Sequence, residues 1–317
     1  MLRTRNIPAV VIAAIGLLQL SLNARAAESD GAPRLTIVPA YEGDAAYATA
    51  ARSDPNADRP TLYRHHVVGP YLNRCAGGGE FVESARMALS TPPTNVDGVA
   101  EAAQTLAKAD LQSLILAAFD KISTSLPGPA TTVCIFVADP DDPRIRDLHG
   151  IGGFTAGAGK IWLLIQPEGD WKEWVPYALA HEHHHSVWIH RHFDASKPLT
   201  LGWHLVSEGR ADSFAHVVYP DRRPPWLQAL TPAQEAEQWK AMQAHLDDAS
   251  AGLRMSFMYG DGAVPRWTGY TVGFRIVQSF LSGHAAMSID QWTALDARQL
   301  LKDSSYAPGS QKSGERD

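Results

Sequence analysis

The sequence has only two cysteines and no long run of charges of one sign. Its 317 residues include 28 Lys and Arg against 34 Asp and Glu, which gives a formal net charge of −6. Without a basic stripe, nucleic acid is excluded as a partner, and so is a surface of anionic lipid. No internal repeat is visible. Hydrophobic residues make up 45% and charged residues 20%, values that are typical of a folded soluble domain.

The first 26 residues differ from the rest. Arg3 and Arg5 precede an apolar run over residues 7–22, and Ala24 and Ala26 then form a small-x-small pattern. These features predict a secretory signal peptide cleaved near Ala26, and hence a secreted or periplasmic protein without membrane attachment after cleavage. An uncleaved anchor is the alternative, but the run is shorter than the roughly 20 residues of a spanning helix. No cysteine follows the run, so a lipoprotein anchor is not indicated.

The two cysteines are Cys75 and Cys134. In an exported protein they can form one disulfide. Cys134 lies in an apolar, strand-like run, which favours burial, so two separate buried thiols are the alternative. The sequence does not give the distance between them, and both possibilities stay open.

The hydrophobic pattern predicts an α+β protein with strands first and mainly helices later. Residues 149–159 contain five glycines and precede a strand, so an edge strand is favoured over a phosphate-binding loop, which would need a following GK[ST]. We predict a single domain over residues 27–302 and a disordered tail over 303–317. The expected elements are an irregular lead-in at 28–60, strands at 132–137 and 160–166, and helices at 96–121, 175–192, 202–218, 231–246, 267–281 and 288–301.

The helix predicted at 175–192 carries the pattern H-E-x-x-H as His181, Glu182 and His185. Residues four apart share one face of a helix, so the two imidazoles can converge on one metal ion. The intervening glutamate then lies where it can take a proton from water. A His-rich surface tract that binds metal loosely is the alternative, because four more histidines are close by. Such a tract would need neither Glu182 nor the apolar residues that flank the pattern.

A catalytic zinc needs a third protein ligand. The metzincin pattern would place a histidine where Arg191 stands, so that pattern fails. Glu208, on the next predicted helix, can supply an oxygen, and Asp212 one turn later can accept the spare N–H of a ligand histidine. Gly209 lies between them and predicts close packing, which we expect against the motif helix. The alternative is that both carboxylates belong to a solvated helix face.

The H-E-x-x-H pattern followed by E-G-x-A-D at 208–212 resembles the gluzincins. With the G-Y-T-V-G stretch at 269–273, it is similar to the YjaZ-like family of predicted zinc-dependent proteases, over roughly residues 100–285. The resemblance implies a zincin-like fold with the active-site helix between a mixed α/β half and a helical half. It also implies one Zn²⁺ bound by His181, His185 and Glu208, and peptide-bond hydrolysis with Glu182 as general base.

The chemistry expected is attack of a zinc-activated water on a peptide or protein substrate, with Glu182 moving the proton. The oxyanion needs a further donor, for which the candidates are Tyr270, then His204, then Tyr259. Residues 153–159 are expected to form the rim along which an extended substrate pairs. Two alternatives stay open: a secreted zinc-binding protein without catalysis, and a metallohydrolase of a non-peptide amide or ester.

Overall fold

A computed structural model describes residues 35–308; the predicted signal peptide and residues 309–317 lie outside this range. Four strands and fourteen α-helices are assigned within it. The strands are β1 Leu35–Val38, β2 Thr131–Val137, β3 Ile151–Gly157 and β4 Lys160–Ile165. The helices are α1 Tyr41–Ser53, α2 Arg59–Tyr63, α3 Gly69–Ala76, α4 Val82–Ala88, α5 Val96–Lys108, α6 Leu111–Ser125, α7 Pro143–Arg146, α8 Trp171–His192, α9 Leu201–Val218, α10 Pro232–Gln243, α11 Ala251–Tyr259, α12 Thr268–Gly283, α13 Ile289–Ala294 and α14 Ala297–Asp303, with a π-helical turn at Arg64–Val68 and a 3₁₀ turn at Pro225–Gln228.

The strands form one small mixed sheet in the order β1-β2-β4-β3. β1, β2 and β4 are parallel, and β3 is antiparallel to β4, with Ile151 opposite Ile165. The predicted edge strand is therefore β3. A short connection through Ala158 and Gly159 joins it to β4, which is the connection that an antiparallel pair permits.

Both faces of the sheet are covered. In β2, Val133 and Ile135 belong to a large core shared with α6, α8, α9 and α12, whereas Cys134 and Phe136 belong to a second core beneath α1–α4. A strand covered on both faces reads as a continuous apolar run, and this is why β2 is hydrophobic at every position from Val133 to Val137. The mixed α+β class expected from the sequence is confirmed.

Cys75 and Cys134 form a disulfide with a Cα–Cα distance of 5.9 Å. The bond joins α3 to β2, and both residues are fully buried. Of the two possibilities that the sequence left open, the structure has the disulfide.

Several predicted boundaries were wrong. The lead-in at 28–60 is not irregular throughout, since it contains β1 and α1. The helix predicted at 96–121 is two helices, because Asp110 accepts a hydrogen bond from Ser113 N at 3.1 Å and begins α6. The helix predicted at 175–192 begins earlier, at Trp171, so Pro176 lies inside it and not in its first turn. The helix predicted at 288–301 divides into α13 and α14.

The packing partner predicted for Gly209 was also wrong. A Cβ at Gly209 would lie 2.2 Å from the backbone oxygen of Gly273 in α12, and a Cβ at Gly273 would lie 2.2 Å from that of Leu205 in α9. The two glycines therefore let α9 pack closely on α12, not on the motif helix. This contact fixes the face of α9 that remains for the motif helix.

The C-terminal residues that the structure describes continue to contact the domain. α14 ends at Asp303, and Tyr306 donates a hydrogen bond to Glu235 at 2.6 Å. The predicted tail otherwise lies beyond the described residues. In the range 35–308, no helix is both long enough and apolar enough to cross a membrane.

Candidate metal centre

The helix α8 presents the two motif histidines on one face. Its buried face, which includes Val175, Leu179 and Val187, packs into the large core and fixes the rotation of the helix. His181 and His185, one turn apart, are partly exposed, and their ring centroids are 4.8 Å apart. Their Nε2 atoms are 3.1 Å apart.

Glu208 of α9 completes the cluster. Its Oε2 lies 3.1 Å from His181 Nε2 and 3.5 Å from His185 Nε2. The three ligand atoms all lie within 4.8 Å of one another. Two imidazole nitrogens and one carboxylate oxygen form the donor set that zinc takes in catalytic sites, where three protein ligands leave a fourth position for water or substrate. The residues present therefore fit a zinc ion.

The local charge also favours a cation. Burial lowers the pKa of His181, but Asp212 and Glu208 raise it well above the usual value for histidine. Burial would raise the pKa of Glu208, yet the two histidines hold it below its usual value. Glu208 is therefore a carboxylate, and the negative potential around the imidazoles attracts a positive charge.

Each histidine of the cluster has a partner on its other ring nitrogen. Asp212 Oδ1 lies 3.2 Å from His181 Nδ1, and Ser207 Oγ lies 3.4 Å from His185 Nδ1. Because the Nδ1–H of His181 is turned to the carboxylate, Nε2 is the nitrogen that faces the cluster and would bind a metal ion once its proton is lost. Asp212 is fully buried and also accepts hydrogen bonds from Tyr177 Oη at 3.1 Å and Trp226 Nε1 at 3.2 Å. The sequence pattern gave no signal for either of these donors.

Glu182 lies beside the cluster and faces the sheet. Thr155 of β3 donates a hydrogen bond to its Oε2 at 2.7 Å. A Cβ at Gly153 would lie 2.3 Å from Glu182 Oε1, so this glycine lets the carboxylate reach the edge strand. Burial raises the pKa of Glu182, while His181 and His185 oppose the rise. Thr155 was not predicted, because nothing in sequence spacing links it to the motif.

Of the oxyanion candidates, two tyrosines share a cavity with the cluster. Tyr270 and Tyr259 line the space that also contacts His181, and the Tyr270 hydroxyl donates to that of Tyr259 at 3.4 Å. Burial, with Tyr259 and Glu208 nearby, raises the pKa of Tyr270 well above its usual value, so the hydroxyl keeps its proton. His204 does not line this cavity, and its Nε2 accepts a hydrogen bond from Arg254 at 3.2 Å.

Only part of the substrate rim predicted at 153–159 is available for pairing in the structure. Phe81 N donates to Ala156 O at 2.9 Å, and Glu80 Oε2 accepts from Ala158 N at 2.9 Å, so this end of β3 is covered. Gly152 and Gly153 instead line the cavity beside His181. Among the described residues, β3 pairs with β4 alone, which leaves its other edge without a strand near these two glycines.

The other histidines of the tract do not join the cluster. His183 is fully buried, and its Nε2 donates to Leu126 O at 2.8 Å. His184 contacts Thr293 Oγ1 at 3.2 Å and stacks on Trp292. Burial lowers the pKa of His183 to about 4 and that of His184 well below its usual value, so both are neutral core residues. A loose His-rich tract does not describe this arrangement.

Two curated proteins are similar to this chain. The chain is 28% identical over 181 residues to the uncharacterized protein YjfC of Bacillus subtilis (strain 168), which covers 53% of this chain and 58% of that protein. It is 28% identical over 178 residues to the uncharacterized protein YjaZ of the same organism, covering 54% of this chain and 68% of that protein. The match thus spans a little more than half of YjfC. No solved structure matches the chain.

A family model matches residues 111–302, a range that begins at α6 and includes β2, β3, both motif helices and α12. All three residues of the His-His-Glu cluster, Glu182 and Asp212 lie within it. The family is described as "Predicted Zn-dependent protease (DUF2268)", and the chain belongs to that family.

Proposed function

We propose that the protein is an exported zinc metallopeptidase of the gluzincin type, with a zincin-like arrangement of edge strand and active-site helix. The observation that carries this proposal is the convergence of His181 Nε2, His185 Nε2 and Glu208 Oε2 within 4.8 Å, with the Glu182 carboxylate on the same helix. The donor set supports zinc, and the family description supports proteolysis.

Zinc bound by these three residues would polarise a scissile carbonyl and make a water molecule more acidic. Glu182 is the general base that takes the proton of that water and passes it to the leaving amine. Thr155 holds one carboxylate oxygen at 2.7 Å, so the other is free to face the substrate. Asp212 keeps His181 in the tautomer that leaves Nε2 as a donor to the metal.

Tyr270 is the proposed donor to the oxyanion. Its hydroxyl keeps its proton, and it lines the same cavity as His181 and Glu182. Tyr259 lies 3.4 Å from it and is the second candidate. His204 is a weaker candidate, because its Nε2 accepts from Arg254 and it is held outside the cavity.

The substrate is proposed to be a peptide or an unfolded protein segment that lies extended along β3. A peptide can add to a free strand edge through main-chain hydrogen bonds, and Gly152 and Gly153 lie at this edge and line the cavity beside Glu182. Secretion or periplasmic location is proposed from the N-terminal segment. The disulfide between Cys75 and Cys134 supports it, because such bonds persist in oxidising compartments.

The test is Glu182→Gln compared with Glu173→Gln, an exposed position on the same helix. We expect the first variant to keep one zinc per chain and to lose roughly 10²- to 10⁴-fold in peptide hydrolysis, and the second to match the wild type. Zinc is measured by elemental analysis and hydrolysis with denatured casein and a peptide library. Stoichiometric zinc without cleavage of any peptide by the wild type would refute the peptidase proposal and favour a zinc-binding protein or a non-peptide hydrolase.

A further inference from the structure

A large cavity adjoins the metal cluster, and most of its lining has no role in the chemistry described so far. Its volume is about 550 Å³, within the roughly 300–1,000 Å³ of ligand-binding pockets. His181 and Glu182 form part of its wall, and so do Gly152 and Gly153 at the free edge of β3. If a peptide lies along that edge, the side chain next to its scissile bond is therefore beside the cavity.

One wall of the cavity is a cluster of aromatic rings. Trp174, Tyr177 and Trp226 lie with their ring centroids 5.9–6.2 Å from one another. Their polar atoms are already engaged inside the protein: Trp174 Nε1 donates to Asp170 at 3.0 Å, and the other two donate to Asp212. What remains for a ligand is apolar ring surface.

The two arginines that line the cavity are each paired with a carboxylate. Arg144 forms an ion pair with Asp142 at 2.7 Å, and Arg266 forms one with Asp147. An acidic side chain would compete with these pairs and find no unpaired arginine among the described residues of the lining. The lining therefore selects against negative charge on the inserted group.

Trp267, in the segment between α11 and α12, also lines the cavity. Its backbone has a φ of 61°, in the left-handed region that is unfavourable for a bulky residue. The guanidinium of Arg266 lies 4.2 Å from its ring centroid, and Arg266 is itself paired with Asp147. Residues held in such conformations are frequent at ligand clamps, where the surrounding contacts fix them.

We propose that this cavity is the specificity pocket of the enzyme and takes a large apolar side chain, preferably aromatic, from the residue next to the cleaved bond, with Trp267 as a specificity-determining residue. The inference rests on the proposed peptidase function and names its substrate class: peptides with Phe, Tyr, Trp or Leu beside the scissile bond.

The test uses matched peptides that differ only at one position, with Phe, Leu, Ala, Lys or Glu. For the zinc-loaded wild type, we expect kcat/KM for Phe over Ala to be roughly 10- to 150-fold, the range expected when a large apolar side chain leaves water. Trp267→Gly keeps the left-handed backbone and removes the ring, so this ratio should fall by at least tenfold. Ser305→Gly is the matched control, since it makes the same backbone change at a φ of 52° away from the cavity.

A second variant makes the pocket smaller instead of larger. Ala178 lines the cavity one turn before Glu182, so Ala178→Leu should narrow the pocket and lower the Phe-to-Ala ratio. Lys172→Leu, exposed on the same helix, should leave the ratio unchanged. Zinc content is measured for every variant, because the proposal requires Trp267→Gly to keep the metal.

Calorimetry measures the binding of the same peptides to the Glu182→Gln protein, which does not cleave them. This measurement distinguishes a wrong pocket assignment from a wrong peptidase assignment. Cleavage with no preference, or with a preference for Lys or Glu, would overturn the pocket assignment and leave the peptidase standing. Tighter binding of the Phe peptide without wild-type cleavage would support the pocket and refute proteolysis. Equal binding of all peptides, with no cleavage, would overturn both.

Discussion

The fully buried carboxylate of Asp212 provides the strictest test of how the centre is organised. It contacts three donors, namely His181 Nδ1, the Tyr177 hydroxyl and Trp226 Nε1, at 3.1–3.2 Å. Asp212→Asn keeps the size of the side chain, removes its charge and replaces one acceptor oxygen with an N–H donor. Fewer acceptor positions then remain for three donors, and His181 loses the partner that orients it.

The expected effect follows from this loss. Removal of such an outer partner of a ligand histidine lowers metal affinity by about 10- to 100-fold, or about 1.4–2.7 kcal/mol. The hydrogen bond from a neutral donor to a carboxylate is worth about 1.5–3 kcal/mol, which gives the same order of magnitude. We therefore expect the zinc dissociation constant of Asp212→Asn to rise by about one to two orders of magnitude.

The measurement is competition for zinc against a chromophoric chelator, with circular dichroism to show that the variant is folded. A matched control exists in the same helix region. Asp170 accepts from Trp174 Nε1 at 3.0 Å and contacts His149 Nδ1 at 3.1 Å, the same pair of donor types, but its histidine is not in the metal cluster. Asp170→Asn should leave zinc affinity within about twofold of the wild type.

Wild-type zinc affinity in a folded Asp212→Asn protein would refute the role of Asp212. An equal loss in Asp170→Asn would show that the effect comes from general destabilisation of α8 rather than from the orientation of His181. Only a loss confined to the first variant agrees with the contacts described.

Three further predictions concern the oxyanion, the helix packing and a buried acid. Tyr270→Phe should lower kcat by roughly 10²- to 10³-fold with little change in KM, measured on the best peptide, because the donor acts on charge that develops in the transition state. Gly273→Ala should lower the free energy of unfolding by about 1–3 kcal/mol in urea titrations, since its Cβ would lie 2.2 Å from Leu205 O. Asp44→Asn should remove a pH dependence of stability. Burial raises the pKa of Asp44 to about 7 although it accepts from Val137 N, so in the wild type the folded state keeps a proton that the unfolded state releases, and stability falls as pH rises from 4 to 7 by on the order of 4 kcal/mol.

Each of these predictions has a contradicting result. A loss in Tyr259→Phe larger than in Tyr270→Phe would reassign the oxyanion donor. Gly252→Ala is the packing control, because nothing lies within 4 Å of the added Cβ, and equal destabilisation by both alanines would refute the close approach of α9 and α12. For Asp44, the variant and the wild type should be equally stable near pH 4 and differ most near pH 8; a constant difference would exclude proton linkage.

Local spacing was sufficient to predict part of the site. His181 and His185 are four residues apart, and a helix fixes their geometry without reference to the rest of the fold. Glu208 and Asp212 share the same spacing on the next helix, so each pair could be predicted separately. The residues alone suggested Glu208 as the ligand and Asp212 as the partner of the histidine N–H, and the resemblance implied the same ligand set; helical spacing alone does not say which carboxylate lies nearer.

The other parts of the site depend on contacts between distant segments. Thr155, 27 residues before Glu182, is brought to it by the packing of α8 against β3. The partner of Gly209 was predicted wrongly for the same reason: a glycine indicates that some backbone comes close, and the sequence does not say which one. Of the helices before residue 96, α2, α3 and α4 escaped prediction because each has eight residues or fewer, too few turns for an apolar periodicity to repeat.

Two aromatic side chains, Trp226 and Tyr177, line the cavity and also donate to Asp212, and this decides which variants can separate the role of the cavity from that of the cluster. Trp226 lines the cavity and donates to Asp212, which contacts His181, so a change at Trp226 alters the pocket and the metal ligand together. Trp267 lines the cavity from another segment and contacts Arg266 instead. Its removal should therefore change which peptide is cut without changing zinc content. Selectivity and metal affinity are thus separable at Trp267 and coupled at Trp226, because only one of the two rings is hydrogen-bonded to the carboxylate behind the zinc ligand.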